Sequence, residues 1–234
     1  MSVRTRVLSP ELIDDPELDP SLREAILQGL GRINRWSHSA GILWRPIQRL
    51  AFRTKPRPLR VLDIATGGGD VPISLSGKAR SKGIALEVDG CDAEPHAVEY
   101  AAHHAKAQDT NVRFFRLDAL EEPLPSGYDV LMCSLFLHHL SNEAACRLMA
   151  RMAEAARTGM LVNDLLRSRR GLALAYAGAF VLSRSEAVHA DAPQSVRAAF
   201  TLDEVARLAA RAGLRDFRLG RRWPCRFLLE WNRP

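Results

Sequence analysis

The sequence predicts an α/β protein built on a mostly parallel sheet, and three observations carry that expectation. From Leu59 onward, short apolar runs alternate with amphipathic helical patterns. The first of those runs ends in a glycine-rich turn, Ala65-Thr-Gly67-Gly68-Gly69. The last two runs flank Trp223-Pro224 with no helix between them, so the far edge of the sheet gains antiparallel pairing.

A chain of 234 residues is one ordinary domain, or one domain carrying a modest extension, long enough to bury a core without disulfides or a structural metal. Hydrophobic residues at 47% and charged residues at 26% exclude wholesale disorder, collagen-like repeats and a small disulfide scaffold. No apolar run approaches the roughly 20 residues of a membrane span. The N-terminus leads into an acidic, Pro-containing stretch where a signal core would be apolar, so the expected location is the cytoplasm. Cys91, Cys133, Cys146 and Cys225 form no C-x-x-C pair; they read as reduced cysteines, and no metal is expected. The net charge of +6 raises the question of nucleic acid. All basic residues but Lys55, Lys78, Lys82 and Lys106 are arginines, and they are dispersed apart from Arg167-Ser-Arg169-Arg170 and Arg221-Arg222. A nucleic-acid partner is therefore not expected.

Residues 1–58 read as an N-terminal helical cap. Asp19-Pro20 supplies an N-cap and a proline at the first helical position, and Leu22, Ile26, Leu30 and Ile33 follow on one face. A second apolar stretch, Ile42 to Phe52, is interrupted by Pro46, and Lys55-Pro-Arg-Pro58 reads as a linker. Residues 59–234 hold the strand–helix alternation. Strands are predicted at Arg60–Ile64, Ile84–Cys91, Val112–Leu117, Tyr128–Cys133 and Met160–Asn163. Ala145, Leu148, Met149, Met152 and Ala156 mark the clearest helix between them. Thr201-Leu-Asp-Glu204 is a capping box opening a helix that stops at Gly213, and Phe217–Leu219 and Arg226–Trp231 are the final strands.

The glycine turn of Val61-Leu-Asp63-Ile-Ala65-Thr66-Gly67-Gly68-Gly69-Asp70 lets the backbone approach a ligand beyond the strand's carboxyl end. A dinucleotide fingerprint would need G-x-G-x-x-G, but Pro72 stands where the third glycine belongs. The second strand ends in Asp92-Ala93, where a carboxylate can accept from both hydroxyls of a ribose; capping the helix that follows is the other reading, and the two roles are compatible. The third strand leads into Asp118-Ala119, and the fourth into Cys133-Ser134-Leu-Phe-Leu-His138-His139-Leu140.

In that order, these four features resemble the class I S-adenosylmethionine (SAM)-dependent methyltransferases, with Ala65 in place of the first glycine of their motif I. The resemblance implies SAM as cofactor and a Rossmann-like, seven-stranded, mostly parallel sheet with an antiparallel last strand. It implies a cofactor site of Asp63, Ala65, Thr66, Gly67, Gly69, Asp92, Ala93, Asp118, Ala119 and Ser134, with the acidic residue at 118 facing the adenine. Asn34-Arg-Trp-Ser37, Gly41 and Trp44-Arg45 are similar to a run in the ubiquinone/menaquinone C-methyltransferases. Asp191 to Thr201 is similar to bacterial methyltransferases of phenolic or polyketide-derived compounds.

A phenol, with a pKa of about 10, needs a base or a cation to react near neutrality. His138, toward substrate, and His139 follow the fourth strand, and Asn163-Asp164 closes the fifth; these are the catalytic candidates, with capping of strand ends as the alternative. Gly171 to Ser183 is apolar nearly all round, and residues of about 165–200 are the insertion that in this family forms a substrate lid. Tyr176 and Phe180 would wall a pocket for a small hydrophobic aromatic acceptor, and Arg184 and Arg197 would steer an acidic group or a phenolate. The expected activity is O-methylation in secondary metabolism by a monomer or homodimer. C-methylation of a quinone-like ring, RNA methylation and a SAM-binding scaffold are the alternatives.

Overall fold

The computed structural model describes residues 3, 5–9, 11–14, 17–182 and 186–234. Its seven strands are β1 (Leu59–Ile64), β2 (Leu86–Asp92), β3 (Arg113–Arg116), β4 (Val130–Ser134), β5 (Gly159–Leu165), β6 (Arg218–Arg222) and β7 (Arg226–Asn232). They form one sheet in the order β3-β2-β1-β4-β5-β7-β6. Pairing is parallel from β3 through β5, and β7 runs antiparallel to both β5 and β6. The hairpin at Trp223-Pro224 brings the expected antiparallel pairing to this edge, and its second strand inserts between β5 and β6.

The pleat divides the core in two. Leu62, Ile64, Leu131, Cys133, Met160, Val162, Phe227 and Leu229 face α5 (Asn142–Ala155) and α8 (Leu202–Arg211). Leu59, Val61, Val130, Met132, Leu161 and Leu228 face α2 (Ser39–Thr54) and α3 (Asp70–Ser81). Both helical layers bury their apolar stripes at about 1.5–3 kcal/mol per large side chain, which fixes the register of the central strands. At Gly159 there is no room for anything larger, since a Cβ would lie 2.3 Å from the Trp231 carbonyl oxygen.

Pro46 does not interrupt the second helix: α2 runs through it from Ser39 to Thr54. The lost backbone hydrogen bond is offset by burial of Leu43, Trp44, Ile47 and Leu50 against the sheet. This helix therefore belongs to the core, with no packing break at residue 58. Asp19 caps α1 (Pro20–Trp36) as expected, accepting from the amides of Ser21 and Leu22. The cap of α4 (Pro95–Ala107) is Glu94, so Asp92 is released from the capping role. Beyond β5, α6 (Arg169–Leu182) and α7 (Glu186–Ala198) cross over the carboxyl end of the sheet beside α1, joined to it through Ile26, Ala179 and Val188.

Candidate active site

The carboxyl ends of β1, β4 and β5 open into a cavity of about 340 Å³. Its floor holds Ala65 to Gly68, Asp92, Ser134, Phe136, His138 and His139; α1, α6, α7 and the segment around Glu11 form its roof. The roof contributes mainly small and aliphatic side chains, among them Leu27, Leu30, Leu174, Ala175 and Val196.

At one end the glycine turn provides backbone and little else. Gly67 lies at φ 53° and nothing approaches within 4 Å of where its Cβ would be. Gly69 is dictated by sterics, since its φ is 74° and a Cβ would lie 2.7 Å from the Phe114 ring. Ala65 also lies in the left-handed region, at φ 52°, so it holds a backbone geometry that glycine adopts more easily. Asp92 joins the two strand ends: its Oδ2 accepts from the Gly67 amide at 2.8 Å and its Oδ1 from the Glu94 amide at 3.1 Å. Beneath the turn, Thr66 donates its hydroxyl to Asp63 Oδ2 at 2.8 Å, while Asp63 Oδ1 is buried with no partner. Burial, and secondarily the nearby Asp92 charge, pushes the Asp63 carboxyl up to about 7.

At the other end His138 Nδ1 lies 2.7 Å from Asp164 Oδ1, and the His138 amide donates to Asp164 Oδ2 at 3.1 Å. Both side chains are buried. His138 Nε2 faces Glu11 Oε1 across 3.7 Å, and His139 Nε2 lies 3.9 Å from Glu11 Oε2. Ser195 of α7 donates to Glu11 as well. Burial alone would lower the imidazole pKa, but the carboxylates of Asp164 and Glu11 reverse that and raise His138 to about 10. Burial likewise works against the ionised Asp164 and Glu11, yet the histidines hold both carboxyls below their ordinary range. His138 is thus an imidazolium at neutral pH. The ligand atoms of Glu11, His138 and His139 lie within 4.8 Å of one another, a spacing at which a divalent ion could be held.

The predicted catalytic residues His138, His139 and Asp164 therefore come together, and Asn163 donates to Ser134 Oγ at 2.8 Å on the opposite face of the sheet. Of the predicted cofactor residues, Ala65, Thr66, Gly67, Asp92 and Ser134 line the cavity; Asp63 supports the turn from below and Gly69 packs on Phe114. Ala93, Asp118 and Ala119 are not on its wall: Asp118 accepts from the Leu120 amide, and Ala119 is buried in the core. Tyr176 and Phe180 do not wall the pocket. Phe180 is 78% exposed, and the Tyr176 hydroxyl accepts from Arg197 at 2.8 Å on the outside of the lid. The inward stripe of α6 is instead Gly171, Leu174, Ala175, Gly178 and Ala179, because α1 approaches too closely for rings. Arg184 lies outside the described residues. Glu11 was not foreseen from the sequence, having no motif around it, and neither was Arg226, which borders the cavity from β7.

Residues 61–159 match a family model described as a methyltransferase domain. Over 91 residues the chain is 37% identical to a demethylmenaquinone methyltransferase of Thermus thermophilus, a match covering 39% of this chain and 39% of that protein. Among solved structures, human N-acetylserotonin methyltransferase in complex with SAM aligns with a TM-score of 0.68 at 17% identity, over 92% of this chain and 56% of that one. A SAM-dependent methyltransferase from Aquifex aeolicus aligns with a TM-score of 0.62 at 19% identity, over 92% of this chain and 99% of that one. The strand order, the glycine turn and the matched segment agree: residues 61–159 are a methyltransferase domain, and the chain has the class I SAM-dependent methyltransferase fold.

Proposed function

We propose that the chain is an enzyme that uses SAM to methylate the hydroxyl of a small hydrophobic phenolic or polyketide-like acceptor. The observation that carries this reading is the cavity itself, with the glycine turn and Asp92 at one end and the buried His138–Asp164 pair at the other. The residues present fit the cofactor. The space over Gly67 is clear, and Asp92, which lines the cavity, keeps acceptor capacity beyond its two backbone bonds. Bound SAM supplies an electrophilic methyl group on a sulfonium centre.

The protein's share of the chemistry is to hold an oxygen nucleophile in line and to favour its ionised form. An acceptor hydroxyl seated against His138 Nε2 gives its proton to the Glu11 carboxylate, and the imidazolium holds the oxyanion left behind. Asp164 keeps the ring charged and oriented through Nδ1. The aliphatic roof excludes water, which strengthens these interactions. A mostly apolar cavity roofed by helices favours a small molecule over RNA. Among the described residues no helix is long and apolar enough to cross a membrane.

C-methylation of a quinone-like ring is the second reading, favoured by the 37% identity to a demethylmenaquinone methyltransferase. The same imidazolium would hold the ring oxyanion while a ring carbon attacks. Incubation with SAM and a panel of simple phenols and naphthols, with product NMR, separates the two. An O–CH₃ signal is expected, a C–CH₃ signal would establish the second reading, and methylation of RNA with none of the panel would overturn both.

A further inference from the structure

Arg226 opens β7 opposite Leu165 of β5, so its side chain lies on the sheet face of Asn163 and Leu228, away from Asp164 and His138. It is 2% exposed. Its guanidinium is held by two hydroxyls, with Nη1 donating to Ser39 Oγ at 2.9 Å and Nη2 to Ser37 Oγ at 2.5 Å. Nε is buried with no partner. Among the described residues no carboxylate lies within ion-pair distance of it, and Asp164, which acts on it only through space, is engaged by His138. Arg167, also buried, instead forms a two-point pair with Glu204 at 2.7 and 3.0 Å.

A buried guanidinium without a counter-charge is costly, and neutral hydroxyls compensate it poorly. Burial lowers even this group to about 10. Arg226, Ser37 and Leu165 all border the cavity, so the missing anion has a route in. The planar fork of arginine matches a carboxylate in particular.

We propose that Arg226, set in place by Ser37 and Ser39, is the carboxylate anchor of this cavity. Two molecules could supply that group, the cofactor through its amino-acid half or the acceptor through an acid substituent. The first source rests on the function proposed above; the second requires only that the cavity bind small aromatic acids.

The test compares wild type and Arg226→Gln by calorimetry with two ligand pairs. One pair is S-adenosylhomocysteine and its analogue lacking the carboxylate, S-adenosyl-3-thiopropylamine; the other is 4-hydroxybenzoate and phenol. Wild type should prefer the carboxylate-bearing member of one pair by roughly tenfold to a hundredfold, and Arg226→Gln should erase that preference. The pair affected identifies the source. If Arg226→Gln fails to fold, Arg226→Lys, which keeps the charge without the fork, should reduce the preference severalfold. The proposal is overturned if wild type shows no preference in either pair, or if the variant that folds keeps the preference intact. Wild type that ignores both nucleosides yet prefers 4-hydroxybenzoate would refute the cofactor reading while leaving the anchor standing.

Discussion

His138 shows how burial and charge compete at a single side chain. Desolvation favours the neutral ring, but Asp164 at 2.7 Å and Glu11 at 3.7 Å win and raise it to about 10. Because the folded value exceeds the ordinary 6.5, the stabilisation is fully present below pH 6.5 and is lost as pH rises toward 10. Activity that depends on the imidazolium should therefore persist through neutrality and fall only on a strongly alkaline limb. Asp164→Asn removes the nearer carboxylate. It should lower kcat by roughly 10²-fold to 10³-fold and draw the alkaline limb toward neutral pH, with cofactor affinity preserved. A kcat profile that keeps its shape in this variant would count against His138 as the charged partner of the acceptor. Asp63 shifts stability in the same direction with pH, over a lower range. Its carboxyl is raised from 3.8 to about 7, so its contribution to stability falls as pH climbs through that range.

Elements were legible wherever a period or a cap was written into the chain. The strands, the Asp19 cap and the Thr201–Glu204 capping box all lie where the pattern put them. The capping box does double duty, since Glu204 also pairs with buried Arg167, which donates in turn to the Ala199 carbonyl. Thr201→Ala should cost about 1 kcal/mol, read from the urea midpoint, because only one arm of the cap is lost. Helix α6 was legible as a helix but not in its rotation. An apolar stretch with small residues all round gives no phase, so Tyr176 and Phe180 looked as eligible for the pocket as Ala175 and Ala179. Closeness to α1 decides between the faces, and that is tertiary information. Glu11 and Arg226 were illegible for a related reason. Each meets the cavity only after the chain has folded, one from an irregular segment and the other from an edge-side strand whose alternation marked it merely as polar.

At the scale of the molecule, several of the arginines are engaged within the fold. Arg57 pairs with Asp129, Arg113 with Asp89 and Arg167 with Glu204. Arg233 donates to the carbonyls of Ala153, Glu154 and Ala156 at the end of α5. Arg6 ties the N-terminal segment to the carbonyls of His138, Leu140 and Ala198 and lies over the Phe200 ring. That segment brings Glu11 to the histidines, so the cavity is closed by residues from both ends of the sequence around a central sheet. The most direct test of this architecture as a methyl-transfer site is calorimetric titration of S-adenosylhomocysteine into the wild-type protein and Asp92→Ala. Saturable one-to-one binding by wild type, weakened roughly tenfold to a hundredfold by the substitution, is the predicted result. Absence of any binding heat with wild type, or identical affinity in the two proteins, would contradict it.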